Sequence, residues 1–220
     1  MGFFIRTCIL CLSAILLFLH QGTGLAASDF SRLFGYRAVA QRDLNQLPQW
    51  ISAVRRHIKE DVSDGTCREG LFKRCRLERW LKFIDSIRSL PPKAQIEAVN
   101  RYANRNPYVL DMDNYDMEDY WAIVKEFVNN GGDCEDYAIT KFFSLEWLGF
   151  AQGDMRIVIL QDTNLRVPHA VMAVRLGGEL LIMDNQTDAV ISHEQIAHYV
   201  PLYSLNEKGW WLHMPSRMRQ

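Results

Sequence analysis

Apolar positions recur at helical spacing once the chain passes residue 40. Leu44, Leu47, Ile51, Val54 and Ile58 fall on one stripe, and Leu77, Trp80, Leu81, Ile84 and Ile87 on a second. Pro91-Pro92 stops the second helix, and a third runs over 93–103 until Asn106-Pro107 breaks it. An acidic stretch follows at 110–119, carrying Asp111, Asp113, Asp116, Glu118 and Asp119, before the helical pattern resumes over 120–128. Asn129-Asn130-Gly131-Gly132 must be a turn, because asparagine and glycine are the residues that accept positive φ. Cys134 then opens a helix with Ala138, Ile139, Phe142, Phe143, Leu145 and Leu148 apolar, and the Phe142-Phe143 pair belongs to the core.

Beyond residue 155 the pattern changes to strands: 156–160 is β-branched, and 167–176 and 179–184 flank Gly177-Gly178. Helices followed by antiparallel strands predict an α+β fold and not a doubly wound one. With Gly177-Gly178 as a two-residue turn, Leu176 faces Glu179, His169 opposes Gln186 and Val171 opposes Asp184. His169 and Asp184 then share a face as diagonal neighbours about 7–8 Å apart, and the imidazole bridges most of that gap. A carboxylate there holds one ring nitrogen and leaves the other free, as a general base requires.

Composition narrows the partners. The 220 residues carry 25 Lys+Arg against 26 Asp+Glu, so there is no broad cationic field and nucleic acid is not an expected partner. Length predicts one domain. Residues 1–27 read as a secretory signal, with Arg6 before a short apolar run at 9–19 and small residues at Gly24-Leu25-Ala26-Ala27. Cleavage is expected after Ala26, with Ala27 the next choice, and an uncleaved membrane anchor is the competing reading. Removal of residues 1–26 as signal peptide takes away Cys8 and Cys11, leaving Cys67, Cys75 and Cys134 in an oxidising compartment. Cys67 and Cys75 either close a small loop as a disulfide or stay as thiols.

Cys134 differs from the other two because it opens a helix. The N-terminus of a helix favours a thiolate, a neighbouring imidazolium favours it more, and a carboxylate fixes the imidazole. Cys134, His169 and Asp184 are therefore the candidate nucleophile, base and orienting acid. Phosphate-binding glycine loops, dinucleotide fingerprints and zinc spacings are missing from the sequence. His193 and His198, near Glu194, are expected in a short helix as surface or capping residues.

Three runs carry a resemblance: Gly131-Gly132-Asp133-Cys134-Glu135-Asp136-Tyr137-Ala138, Pro168-His169-Ala170-Val171 and Met183-Asp184-Asn185-Gln186. Together with Asp119-Tyr120-Trp121 they resemble the bacterial transglutaminase-like cysteine proteinase family, in particular its periplasmic adhesin-releasing members. The resemblance implies a papain-like or transglutaminase-like core. It places a Cys-bearing helix on an antiparallel sheet carrying His and Asp, with a helical lobe at 27–106 and a catalytic core at 107–220 of a single domain at 27–220. It implies a periplasmic endopeptidase that cuts a large surface adhesin near paired alanines in its N-terminal region, releasing it and promoting biofilm dispersal. It also implies an inhibitory partner, the periplasmic domain of an inner-membrane cyclic di-GMP receptor.

Asp133 and Glu135 flank a thiol that must become anionic, and like charge opposes that. The family resemblance implies calcium, with Asp133 and Glu135 matching metal-binding positions. Asp111, Asp113 and the Tyr115 carbonyl have the alternating spacing of a calcium loop, and Asp116 or Asp119 are substitutes. The competing reading is a helix N-terminus that favours acids beside a solvated acidic loop. Oxyanion donors are the Cys134 N–H and either Trp121 or Gln186. Two other functions share these residues: a transglutaminase-like amide acyltransferase using the same triad, and a non-catalytic periplasmic binding module.

Overall fold

The computed structural model describes residues 30–59 and 72–216, the side chains of 72–75 excepted. The signal-peptide reading and the Cys67–Cys75 pairing lie outside these residues. Among them are helices α1 (Pro48–Lys59), α2 (Phe72–Ile87), α3 (Pro92–Asn104), α4 (Asp111–Tyr115), α5 (Val124–Asn130) and α6 (Cys134–Trp147). Strands are β1 (Arg32–Leu33), β2 (Tyr36–Gln41), β3 (Met155–Asp162), β4 (Val167–Leu176), β5 (Glu179–Met183), β6 (Ile191–Ser192), β7 (Tyr199–Asn206) and β8 (Gly209–Pro215). They form one sheet in the order β1-β2-β8-β7-β3-β4-β5-β6, and every pair is antiparallel. The α+β class follows directly.

Both faces of the sheet are covered. On one, Trp50, Trp80, Ile96, Phe127, Phe142 and Phe143 from the helices meet Ile157, Met172 and Met183. On the other, Phe30 and Leu33 close over Val158, Leu160, Val171, Ile182 and Tyr199. This double cover explains why β4 is buried without interruption from His169 to Val174. At the centre, α6 is buried on all sides from Asp136 to Leu145, which forces its polar residues to find partners. Ser144 Oγ, for instance, accepts the Trp80 indole N–H at 3.0 Å.

The N-terminal part departs from a purely helical lobe. β1 and β2 lie within it and join the sheet through β8, while α1, α2 and α3 share one core with α6. β1, at the sheet's edge, is only two residues long and β2 beside it is at most half-buried, so neither carries a strong alternation. Ile58, expected on the apolar stripe of α1, is 74% exposed in the last turn. The paired strands β7 and β8 also escaped the sequence pattern. Pro201 interrupts β7, and there the β3 register slips between Ile159 and Leu160, pushing Leu202 outward.

The turn before α6 is tighter than the expected 129–132: Asn129 and Asn130 close α5, and only Gly131, Gly132 and Asp133 separate it from Cys134. Gly131 has φ +78°, and a Cβ there would meet the Pro107 carbonyl oxygen at 2.4 Å. A Cβ on Gly132 would meet Asp136 Oδ2 at 2.1 Å. The segment after Pro107 pins this turn through the Val109 N–H to Gly132 O bond of 3.0 Å. Gly132→Ala should therefore cost about 1–3 kcal/mol in a thermal melt. Gly153→Ala, where a Cβ meets nothing within 4 Å, should be near neutral.

Candidate active site

Cys134 is the first residue of α6, behind Asp133 as N-cap. On the sheet, the Gly177-Gly178 turn pairs Leu176 with Glu179 and Met172 with Met183, the register expected from a two-residue hairpin. Continuing past β5, it delivers Asp184 to His169: Nε2 lies 3.0 Å from Asp184 Oδ1, both side chains being buried. That contact leaves Nδ1 as the nitrogen not held by the carboxylate. Cys134 and His169 line one cleft of about 230 Å³ with Asp119, Trp121, Glu135, Ile159, Pro168, Ala170 and Tyr203. Helix start and strand thus converge from opposite sides of the core on a single opening.

Asp184 is fully engaged. Besides His169, Oδ1 accepts the Gln186 N–H at 3.0 Å, and Oδ2 accepts the Tyr199 hydroxyl at 2.5 Å. Burial works to raise this carboxyl, but the His169, Gln186 and Tyr199 donors outweigh it, and its pKa falls below the usual range. Lys141, two turns beyond Cys134, is fully buried, and desolvation pushes it down to about 7 against the pull of Asp184 and Asp188.

Around the thiol the balance runs the other way. Burial, followed by the charge of Glu135, pushes the Cys134 thiol well up, and its Sγ lies 3.2 Å from Glu135 Oε2. The like-charge problem foreseen in the sequence is real, but desolvation is its larger part. Burial and Glu135 raise Asp133 to about 8, and burial raises Asp111 to about 6 against the bond from the Tyr120 N–H. Glu135 and Asp136 are also raised, each chiefly by burial.

These acids form two overlapping groups, Asp111–Asp133–Asp136 and Asp111–Asp119–Glu135, each offering ligand oxygens within 4.8 Å of one another. Asp111 Oδ1 and Asp133 Oδ1 are buried without any hydrogen-bond partner. Hard oxygen donors left unpaired in this way fit a calcium-type cation. Asp113 is not brought to this cluster. The stretch forms the short helix α4 in place of an alternating loop, so Asp113 points away from Asp111 and is exposed. Tyr115 ends the same helix with its ring against Tyr120. Asp116, at φ 55°, is exposed.

The structure adds residues the sequence did not single out. Asp136, wholly buried, accepts the Ala122 N–H at 2.6 Å and the Asp133 N–H at 3.3 Å. With Asp111 accepting the Tyr120 N–H at 2.6 Å, it fastens 120–122, so that Trp121 forms a wall of the cleft. The Asp133-x-x-Asp136 spacing of a capping box was the signal available. Of the two expected second oxyanion donors, Trp121 is committed elsewhere and Gln186 does not line the cleft. The Trp121 indole donates to Asp119 at 3.0 Å, and Gln186 is exposed, its backbone N–H held by Asp184. His193 is buried, not a surface residue, and its Nδ1 accepts the Phe34 N–H at 3.0 Å.

Comparison with known proteins finds the same fold in solved structures. Three solved forms of LapG from Legionella pneumophila share the fold. The calcium-bound form is 34% identical with a TM-score of 0.59, covering 64% of this chain and 79% of that one. A second is 32% identical, TM-score 0.61, covering 69% and 84%. The EGTA-treated form is 32% identical, TM-score 0.61, covering 69% and 82%. Curated protein sequences give no match. The family model described as bacterial transglutaminase-like cysteine proteinase, BTLCP, matches residues 78–218, a span that takes in Cys134, His169 and Asp184, and the chain belongs to that family.

Proposed function

We propose that the protein is a calcium-dependent periplasmic cysteine endopeptidase that cleaves a large surface adhesin near paired alanines in its N-terminal region, releasing the adhesin and promoting biofilm dispersal. The observation that carries this reading is the meeting of Cys134 and the His169–Asp184 pair at one cleft. Family membership and the likeness to LapG support it.

Each group has a task. His169 Nδ1 takes the proton of the Cys134 thiol, and the thiolate adds to the scissile carbonyl carbon. The Cys134 N–H stands at the helix start to receive the developing oxyanion. His169 returns the proton to the leaving amine as the C–N bond breaks, which yields a thioester. It then draws a proton from water, which hydrolyses that thioester and frees Cys134. Asp184 keeps the imidazole in one tautomer throughout. Asp111, Asp133 and Glu135, with Asp119 and Asp136 beside them, would hold calcium. When bound there it offsets the buried negative charge that opposes the thiolate.

The reading includes an inhibitory partner, the periplasmic domain of an inner-membrane cyclic di-GMP receptor. The test is to incubate chain 27–220 with the N-terminal segment of the host's largest surface adhesin, with calcium or with chelator, beside Cys134→Ala. Cleavage that needs both calcium and Cys134 is expected. Cleavage surviving chelation would remove the metal from the proposal. Incorporation of a labelled primary amine without cleavage would favour an acyltransferase, and neither activity a binding module.

A further inference from the structure

We infer that Tyr199 is the positioning residue of the acid: its phenol pins the Asp184 carboxylate so that His169 keeps Nε2 committed and Nδ1 turned to Cys134. This rests on the triad reading above.

Three donors from three segments converge on this carboxylate. Oδ1 receives His169 Nε2 and the Gln186 N–H, each at 3.0 Å, while Oδ2 receives, among the described residues, the Tyr199 hydroxyl alone, at 2.5 Å. Rotation about the aspartate Cβ–Cγ bond is soft, so an acid held at one oxygen swings. The Tyr199 bond to the second oxygen removes that freedom. Asp184 and Tyr199 are each 4% exposed, so no water replaces the phenol without opening the core. Burial and the Asp184 charge both push the phenol up, which keeps it a donor.

Tyr199 is itself clamped. It pairs with Asp162 at the start of β7. The Phe34 ring meets it edge-on at 5.7 Å, His198 packs on it at 4.5 Å and His169 lies at 5.8 Å. Phe34 takes φ 51° at the corner between β1 and β2, and its N–H is fixed by His193 Nδ1. The N-terminal strands thereby brace the phenol that braces the acid, although they lie outside the span 78–218 matched by the family model.

A tyrosine that only fills the core would show none of this coupling. The test measures the rate at which iodoacetamide alkylates Cys134 at pH 7 in calcium-containing buffer, with circular dichroism melts as a check on folding. The proteins are wild type, Tyr199→Phe, Asp184→Asn, the double variant and His169→Ala. Tyr199→Phe is expected to slow alkylation about tenfold in the wild-type background and less than twofold beside Asp184→Asn, because the carboxylate it positions is already gone. Equal slowing in both backgrounds, or no slowing in the first, overturns the role of Tyr199. Alkylation that His169→Ala leaves unchanged overturns the triad reading itself, and this inference with it.

Discussion

His169→Ala is expected to lower kcat for peptide cleavage by about 10³–10⁴-fold with KM little changed, and to lower the melting temperature as well, because buried Asp184 loses its imidazole partner. The cause is the environment of Cys134, where burial and Glu135 hold the thiol well above its ordinary range. Deprotonation there depends on a base within reach that turns cationic as the thiolate forms. His169 is the imidazole lining the same cleft, and Asp184 stabilises its charged form through the Nε2 bond. Steady-state cleavage of the adhesin fragment, with circular dichroism to confirm folding, checks this. Retention of more than a tenth of wild-type kcat would mean that another group takes the proton.

The heart of this site was legible because local rules determine it. A Gly177-Gly178 turn admits one register, and that register alone brings Asp184 to His169. Gly131 and Gly132 announced a turn that tolerates no side chain, and the structure shows why, with Pro107 and Asp136 crowding the two Cα atoms. Contacts between distant segments leave no such local mark. Tyr199 reaches Asp184 only because β7 pairs with β3 across a bulge at Pro201, and nothing in the residues near 199 announces that pairing. Asp113 was misplaced for a related reason. An i, i+2 spacing converges in a loop but diverges in a helix, and the stretch from Asp111 to Tyr115 folds as a helix.

With calcium held by the acidic cluster as proposed, its removal should destabilise the protein most at high pH and least at low pH. The buried acids explain the sign. Asp133 is raised from 3.8 to about 8 in the folded chain, so the metal-free fold holds a proton there that the unfolded chain has released. The stability gained from that proton is fully present below pH 3.8 and is lost as pH rises through about 8. Asp111, raised to about 6, adds to the loss over the lower part of the window. A bound cation needs these groups ionised, so it competes with the protons and contributes most where they have left. At a calcium concentration of about 100 Kd, the melting temperature at pH 8 should rise by about 5–10 °C over the chelated protein, and by much less at pH 5. Asp133→Asn with Glu135→Gln removes two of the charges that cause the problem. In chelator at pH 8 that double variant should melt above wild type, and calcium should no longer raise it. A chelated wild-type protein that gains stability from pH 5 to pH 8 would show that the acidic cluster is solvated and pays no penalty for its charge. The unpaired Oδ1 atoms of Asp111 and Asp133 argue against that outcome, since a buried carboxylate oxygen with neither proton, donor nor metal is costly once the group is charged.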